Sequence, residues 1–157
     1  MTRPARPLGV SNRHPRLSVA RGSIEGAVRV LDENAARFRG GCPPGELSVA
    51  ILTDRALAAL HGAFMGDPRA TDVITFGGDP AGGTAGEICV SADAALRQGG
   101  GRPGLCGELT LYIVHGWLHL AGYDDTTPGA KRAMRRAEAR ALRLLRGRRA
   151  LPRFKLA

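Results

Sequence analysis

Two histidines stand four residues apart in His115-Gly116-Trp117-Leu118-His119, and Gly122, Asp124 and Asp125 follow closely. On a helix, residues i and i+4 share one face about one turn apart. Two imidazoles held that way can share one metal ion, and zinc accepts such nitrogens at about 2.0–2.1 Å. A glycine after the last histidine lets the chain leave the helix through a left-handed residue. The next turn can then carry a third ligand back to the same ion. Asp125 stands where that ligand is expected, with Asp124 as the other choice. A carboxylate oxygen binds zinc at about 2.0–2.2 Å. His115, His119 and Asp125 are therefore a candidate site for one zinc ion, with a fourth position open to water or substrate.

The pattern HxxxHxxGxxD has the spacing of the long zinc motif of metzincin proteases. Those enzymes need Glu directly after the first histidine, as the base that activates water. Here that residue is Gly116, which cannot take a proton. The metal frame is present and the protease base is absent. Each residue also has a plainer reading. An HxxxH pair can be two buried structural histidines. Asp125 can cap the helix that follows, and Asp124 can hold a turn or orient a histidine. Glu108 lies two helical turns before His115, about 10 Å along the axis, so packing or a substrate-facing role suits it better. Trp117 points away from the ligand face, towards a core or an interface. His14 and His61 read as exposed or core residues, not ligands.

Several elements must position these groups. Leu105–Leu120 is the most apolar segment and reads as the helix that carries both histidines. Thr126-Thr127-Pro128 opens a last helix running to about Arg146, with Pro128 suited to its first turn and Ala133, Ala137, Ala141 and Leu145 as its apolar stripe. Upstream, Arg16–Arg21 reads as a short first strand. Ser23 is a plausible cap for a helix marked by Ile24, Val28, Leu31, Ala35 and Phe38. Glu46–Thr53 reads as a buried strand, and Asp54 opens a helix to about Phe64. The breaker Gly66-Asp67-Pro68 follows. Thr71–Phe76 and Glu87–Ser91 read as strands able to pair antiparallel across a Gly-rich loop. A short helix over Ser91–Gln98 ends at Gly99-Gly100-Gly101. The expected class is α+β, a single small mixed sheet of about four strands with helices packed on it and the metal site at the end of the central HxxxH helix. Residues 1–14 are expected to be a disordered basic arm, residues 15–147 one metallohydrolase-like domain, and residues 148–157 a basic tail.

Composition narrows the partners. The 157 residues carry 43% hydrophobic and 24% charged side chains, ordinary for one globular domain with a real core. No apolar run approaches the roughly 18–20 residues that span a bilayer, and the Arg- and Pro-rich start lacks a signal-peptide core. Three cysteines without a CxxC pair argue against a disulfide framework or a thiolate zinc site and suit a reducing cytoplasm. The net charge of +9 favours an anionic partner, nucleic acid first. From Lys131 to Lys155 eleven basic residues meet one acid, Glu138. That run either contacts RNA or is a solvated face in an arginine-biased composition.

With these pieces in order, the chain resembles the YbeY family, bacterial rRNA maturation factors described as metal-dependent endoribonucleases. The resemblance covers roughly residues 45–146. It rests on His115-Gly116-Trp117-Leu118-His119-Leu120-Ala121-Gly122-Tyr123-Asp124, on the strand Thr71-Asp72-Val73-Ile74-Thr75-Phe76, on Gly86-Glu87-Ile88, and on Glu108. It implies a zinc-dependent endoribonuclease acting on single-stranded RNA in small-subunit rRNA 3′-end processing and ribosome biogenesis. The implied partners are ribosomal RNA and the small ribosomal subunit, with no membrane and no nucleotide cofactor. Two departures stand out. The family's third histidine is Asp125 here. Its Arg-Gly pair before the TDV strand is Met65-Gly66, and His61 stands where Asn is frequent. Arg69, four residues on from Met65, is the remaining candidate for holding a phosphate. Rival readings are a non-catalytic, metal-stabilised ribosome-assembly factor and a metzincin-like metalloprotease.

Overall fold

The computed structural model describes residues 5–65 and 71–157. Arg69 and the expected breaker at 66–68 lie outside the described residues. The main sheet has four strands: β1 (Leu8–Asn12), β3 (Glu46–Leu52), β5 (Thr84–Ser91) and β4 (Val73–Gly77), in that spatial order. β1 and β3 run parallel, as do β3 and β5, whereas β4 pairs antiparallel with β5, from Val73 opposite Val90 to Gly77 opposite Gly86. This is the mixed four-stranded sheet and the antiparallel pair expected from the sequence.

Strand alternation splits the sheet into two faces. Leu47, Val49 and Ile51 of β3 and Ile88 and Val90 of β5 join the main core. The long helix α4 (Arg102–Leu120) packs there, with α1 (Ser23–Glu33), α3 (Ala92–Gln98) and α5 (Pro128–Gly147) contributing to the same cluster. Ala50, Leu52, Cys89 and Ile74 face the other way and meet Leu57 and Leu60 of α2 (Asp54–Met65) in a smaller cluster. Both faces of the central strands are covered, which is why β3 reads as a continuous apolar run.

Three expectations change. Residues 8–12, placed in a disordered arm, form β1 at the sheet edge, where Val10 and Asn12 are exposed and Leu8, Gly9 and Ser11 are half-buried. In the basic tail, β6 (Phe154–Leu156) pairs antiparallel with β2 (Leu17–Val19), with Phe154 and Leu156 buried. The described residues thus hold a second, two-stranded sheet beside the main one. Helix α1 is preceded by Gly22 in a left-handed conformation, not capped by Ser23, whose Oγ accepts from the Arg153 amide at 3.2 Å. Its apolar period carries on through Ala35 and Phe38, both buried, although the chain there is a short 3₁₀ turn.

Candidate metal centre

Helix α4 brings His115 and His119 to one face, as the i,i+4 spacing requires. Their ring centroids lie 4.6 Å apart and their Nε2 atoms 3.0 Å apart. The helix then ends as the sequence predicts. Gly122 has φ of 104°, its amide donates to His119 O, and the Tyr123 amide donates to Leu118 O. This pair of bonds is the Schellman arrangement, which satisfies the last carbonyls while turning the chain. Tyr123 is buried and fixes the turn. Arg140 donates to its hydroxyl at 3.2 Å, and the Arg39 guanidinium lies 4.2 Å from its ring centroid.

The turn delivers Asp125. The Asp124 carboxylate accepts from the Asp125 amide at 2.7 Å and from the Thr126 hydroxyl at 2.9 Å. These bonds hold its own pKa below the ordinary value. Asp124 therefore shapes the loop, as its plainer reading held, and the Asp125 carboxylate swings to the histidines. Its Oδ2 lies 3.5 Å from His115 Nε2 and 3.6 Å from His119 Nε2. Tetrahedral donors at zinc distances stand about 3.3 Å from one another, so a triangle of 3.0, 3.5 and 3.6 Å fits one ion. Among the described residues these three are the group of His, Cys, Asp and Glu able to hold a metal. Asp125 does not cap α5; Thr127 does, accepting from the Ala130 amide at 3.0 Å.

One contributor escaped the sequence reading. Glu138 of α5 places Oε2 2.8 Å from His115 Nδ1. A carboxylate can only accept here, so the proton sits on Nδ1 and the Nε2 lone pair faces the ion position. Burial pulls the His115 pKa down, but the hydrogen bond and charge of Glu138, aided by Asp125 and Asp72, raise it overall. The available signal was that Glu138 is the lone acid in the basic run and borders the buried residues Ala137 and Ala141.

The centre opens into a cleft of about 510 Å³ lined by Thr71, Asp72, Val73 and Thr75 of the TDV segment with His115, His119 and Asp125. Gly116 faces away from it. A Cβ there would lie 2.6 Å from Ile88 Cγ2, so the position of the protease base is occupied by the contact between α4 and β5. Trp117 is fully buried, edge-on to Phe38, and donates to Asp32 at 3.1 Å. His14 is a core residue bonded to Asp93 at 2.8 Å. His61 on α2 and Glu108 on α4 are outside the metal group.

Known proteins resemble the chain over most of its length. The family model described as endoribonuclease YbeY matches residues 10–146. The endoribonuclease YbeY of Chlamydia pneumoniae is 34% identical over 160 residues, covering 96% of this chain and 98% of that one. That of Anaeromyxobacter dehalogenans is 39% identical over 121 residues, covering 72% and 62%. A solution structure of a Thermotoga maritima protein matches 90% of both chains with a TM-score of 0.58 at 22% identity, which speaks to the fold alone. On the extent of the family match and of the full-length relative, the chain belongs to the YbeY endoribonuclease family.

Proposed function

We propose that the chain is a zinc-dependent endoribonuclease that cuts single-stranded RNA during rRNA maturation, including the 3′ end of the small-subunit rRNA, in the cytoplasm. The observation that carries this reading is the convergence of His115, His119 and Asp125 on one point at the floor of an open cleft. An ion held there would supply Lewis acidity to a phosphodiester and lower the pKa of water. The chain's own groups do the rest. Glu138 keeps the His115 proton on Nδ1. Asp125 adds one negative charge to the donor set. The cleft wall at Thr71–Thr75 borders the space a phosphate would enter. Arg69 is the sequence's candidate for a phosphate contact.

No side chain can follow His115 as a base without displacing Ile88, which disfavours the metalloprotease. No helix among the described residues is long and apolar enough to cross a membrane, which suits a factor working with ribosomal RNA. The test is cleavage of an rRNA fragment by zinc-loaded wild type, by the chelated protein and by His119→Ala. Cleavage lost in the last two supports the endoribonuclease. Processing that survives His119→Ala, with only the melting temperature lowered, supports the non-catalytic assembly factor instead. A 2′,3′-cyclic phosphate on the product would show that the RNA 2′-OH attacks.

A further inference from the structure

The first turns of α5 follow directly on the loop that carries Asp125, and they hold the start of the cationic run. Lys131, Arg132 and Arg135 are exposed and, with Thr126, Thr127 and Pro128, line a depression of about 290 Å³. That depression begins one residue after Asp125. Glu138, which touches His115, lies three residues after Arg135 and seven after Lys131, so the three share one face of the helix. Arg135 and Lys131 are then about 4.5 and 10.5 Å along the axis from Glu138, on the side of the Asp125 loop. Arg132 stands beside them, its Nη2 3.8 Å from where a Cβ on Gly129 would sit, so its guanidinium leans over the first turn. By contrast Arg140 is spent on Arg37 O and Tyr123.

We propose that Lys131, Arg132 and Arg135 form a phosphate-binding subsite of the cleft, holding a neighbouring phosphodiester of the RNA strand cut at the metal centre. This rests on the endoribonuclease reading for the choice of RNA. Cations facing solvent in a group, beside an open cleft, are the sequence-independent means of gripping a nucleic-acid backbone. Two guanidinium forks match phosphate oxygens in pairs, and lysine adds a point charge. The subsite reads no base. It sets where along the strand the scissile phosphate falls.

The experiment measures binding of a labelled single-stranded RNA to the full chain by fluorescence anisotropy, in chelating buffer so that cleavage does not interfere, across a salt series. Wild type is compared with the triple variant Lys131→Gln, Arg132→Gln and Arg135→Gln. The control, Arg146→Gln, Arg148→Gln and Arg149→Gln, removes the same charge at the far end of α5. Thermal unfolding is recorded for each, and Arg132→Gln alone serves if the triple variant melts early. Each lost single-strand phosphate contact lowers the log–log salt slope by about 0.7, so the triple variant should be shallower by about 2 and bind about tenfold or more weakly at 0.1 M salt. Arg132→Gln alone should change the slope by about 0.7. Equal losses in variant and control, or an unchanged slope, overturn the subsite. Zinc-loaded wild type that binds RNA through these residues yet cuts nothing overturns the endoribonuclease reading and leaves the subsite standing.

Discussion

Asp125 gives the centre a different charge from three neutral imidazoles. With a divalent ion held there, one carboxylate among the donors and a second at Glu138 would offset its charge, and water on the ion would be less acidic than at a three-histidine centre. Glu138 orients His115, and such partners are worth about 10–100-fold in metal affinity. Glu138→Ala should weaken zinc binding by that factor while the melting temperature of the metal-free protein changes little; competition with a chromophoric chelator reads it directly. Protons compete with the metal. In the metal-free protein the raised His115 pKa contributes stability present below the ordinary histidine value of about 6.5 and lost as pH rises through the folded value. Metal must displace that proton, so apparent zinc affinity should fall as pH drops from about 8 to about 6, followed by the same titration at each pH. The two histidines were legible because their spacing is local. Glu138 was not, because nothing in a linear reading ties residue 138 to residue 115 until α4 and α5 pack together.

At the scale of elements, the centre depends on how closely α4 lies on β5. Gly116 permits that approach, and a methyl group there meets three atoms of Ile88 within 3.1 Å. Gly116→Ala should cost about 1–3 kcal/mol by overpacking, measured by denaturant unfolding; a stability equal to wild type would show that α4 can shift without penalty. Helices α2 to α5 and strands β3 to β5 were legible because apolar period, caps and breakers agree along each. Strands β1 and β6 were not. Each is short, lies at an edge and carries prolines or arginines nearby, so its pairing partner, not its own pattern, decides its state. Phe154 shows the consequence: it is 8% exposed, in a segment that reads as a charged tail. Phe154→Ala should lower stability by about 3 kcal/mol, whereas a free tail would lose nothing in the same unfolding curve.

At the scale of the molecule, one junction ties the start of the chain to the site helix. Asp32 on α1 pairs with Arg6 at 2.7 Å and accepts from Trp117 on α4 at 3.1 Å, while Arg6 also donates to Pro43 O and Gly45 O. Trp117 is the middle of the three residues between the two histidines, so this half-buried network holds the rotation of α4 that aims both imidazoles into the cleft. The fold class was readable from the sequence, and so was the family through its motifs; the junction was not, because it joins residues 6, 32 and 117. The central claim is that Asp125 completes a metal centre on which RNA cleavage depends. Zinc per chain and RNA cleavage, measured on the same preparations of wild type, Asp125→Ala and Asp125→His, test it most directly. Wild type should hold about one zinc and cleave RNA, Asp125→Ala should lose both, and Asp125→His should recover both. Full zinc content and undiminished cleavage in Asp125→Ala would contradict it.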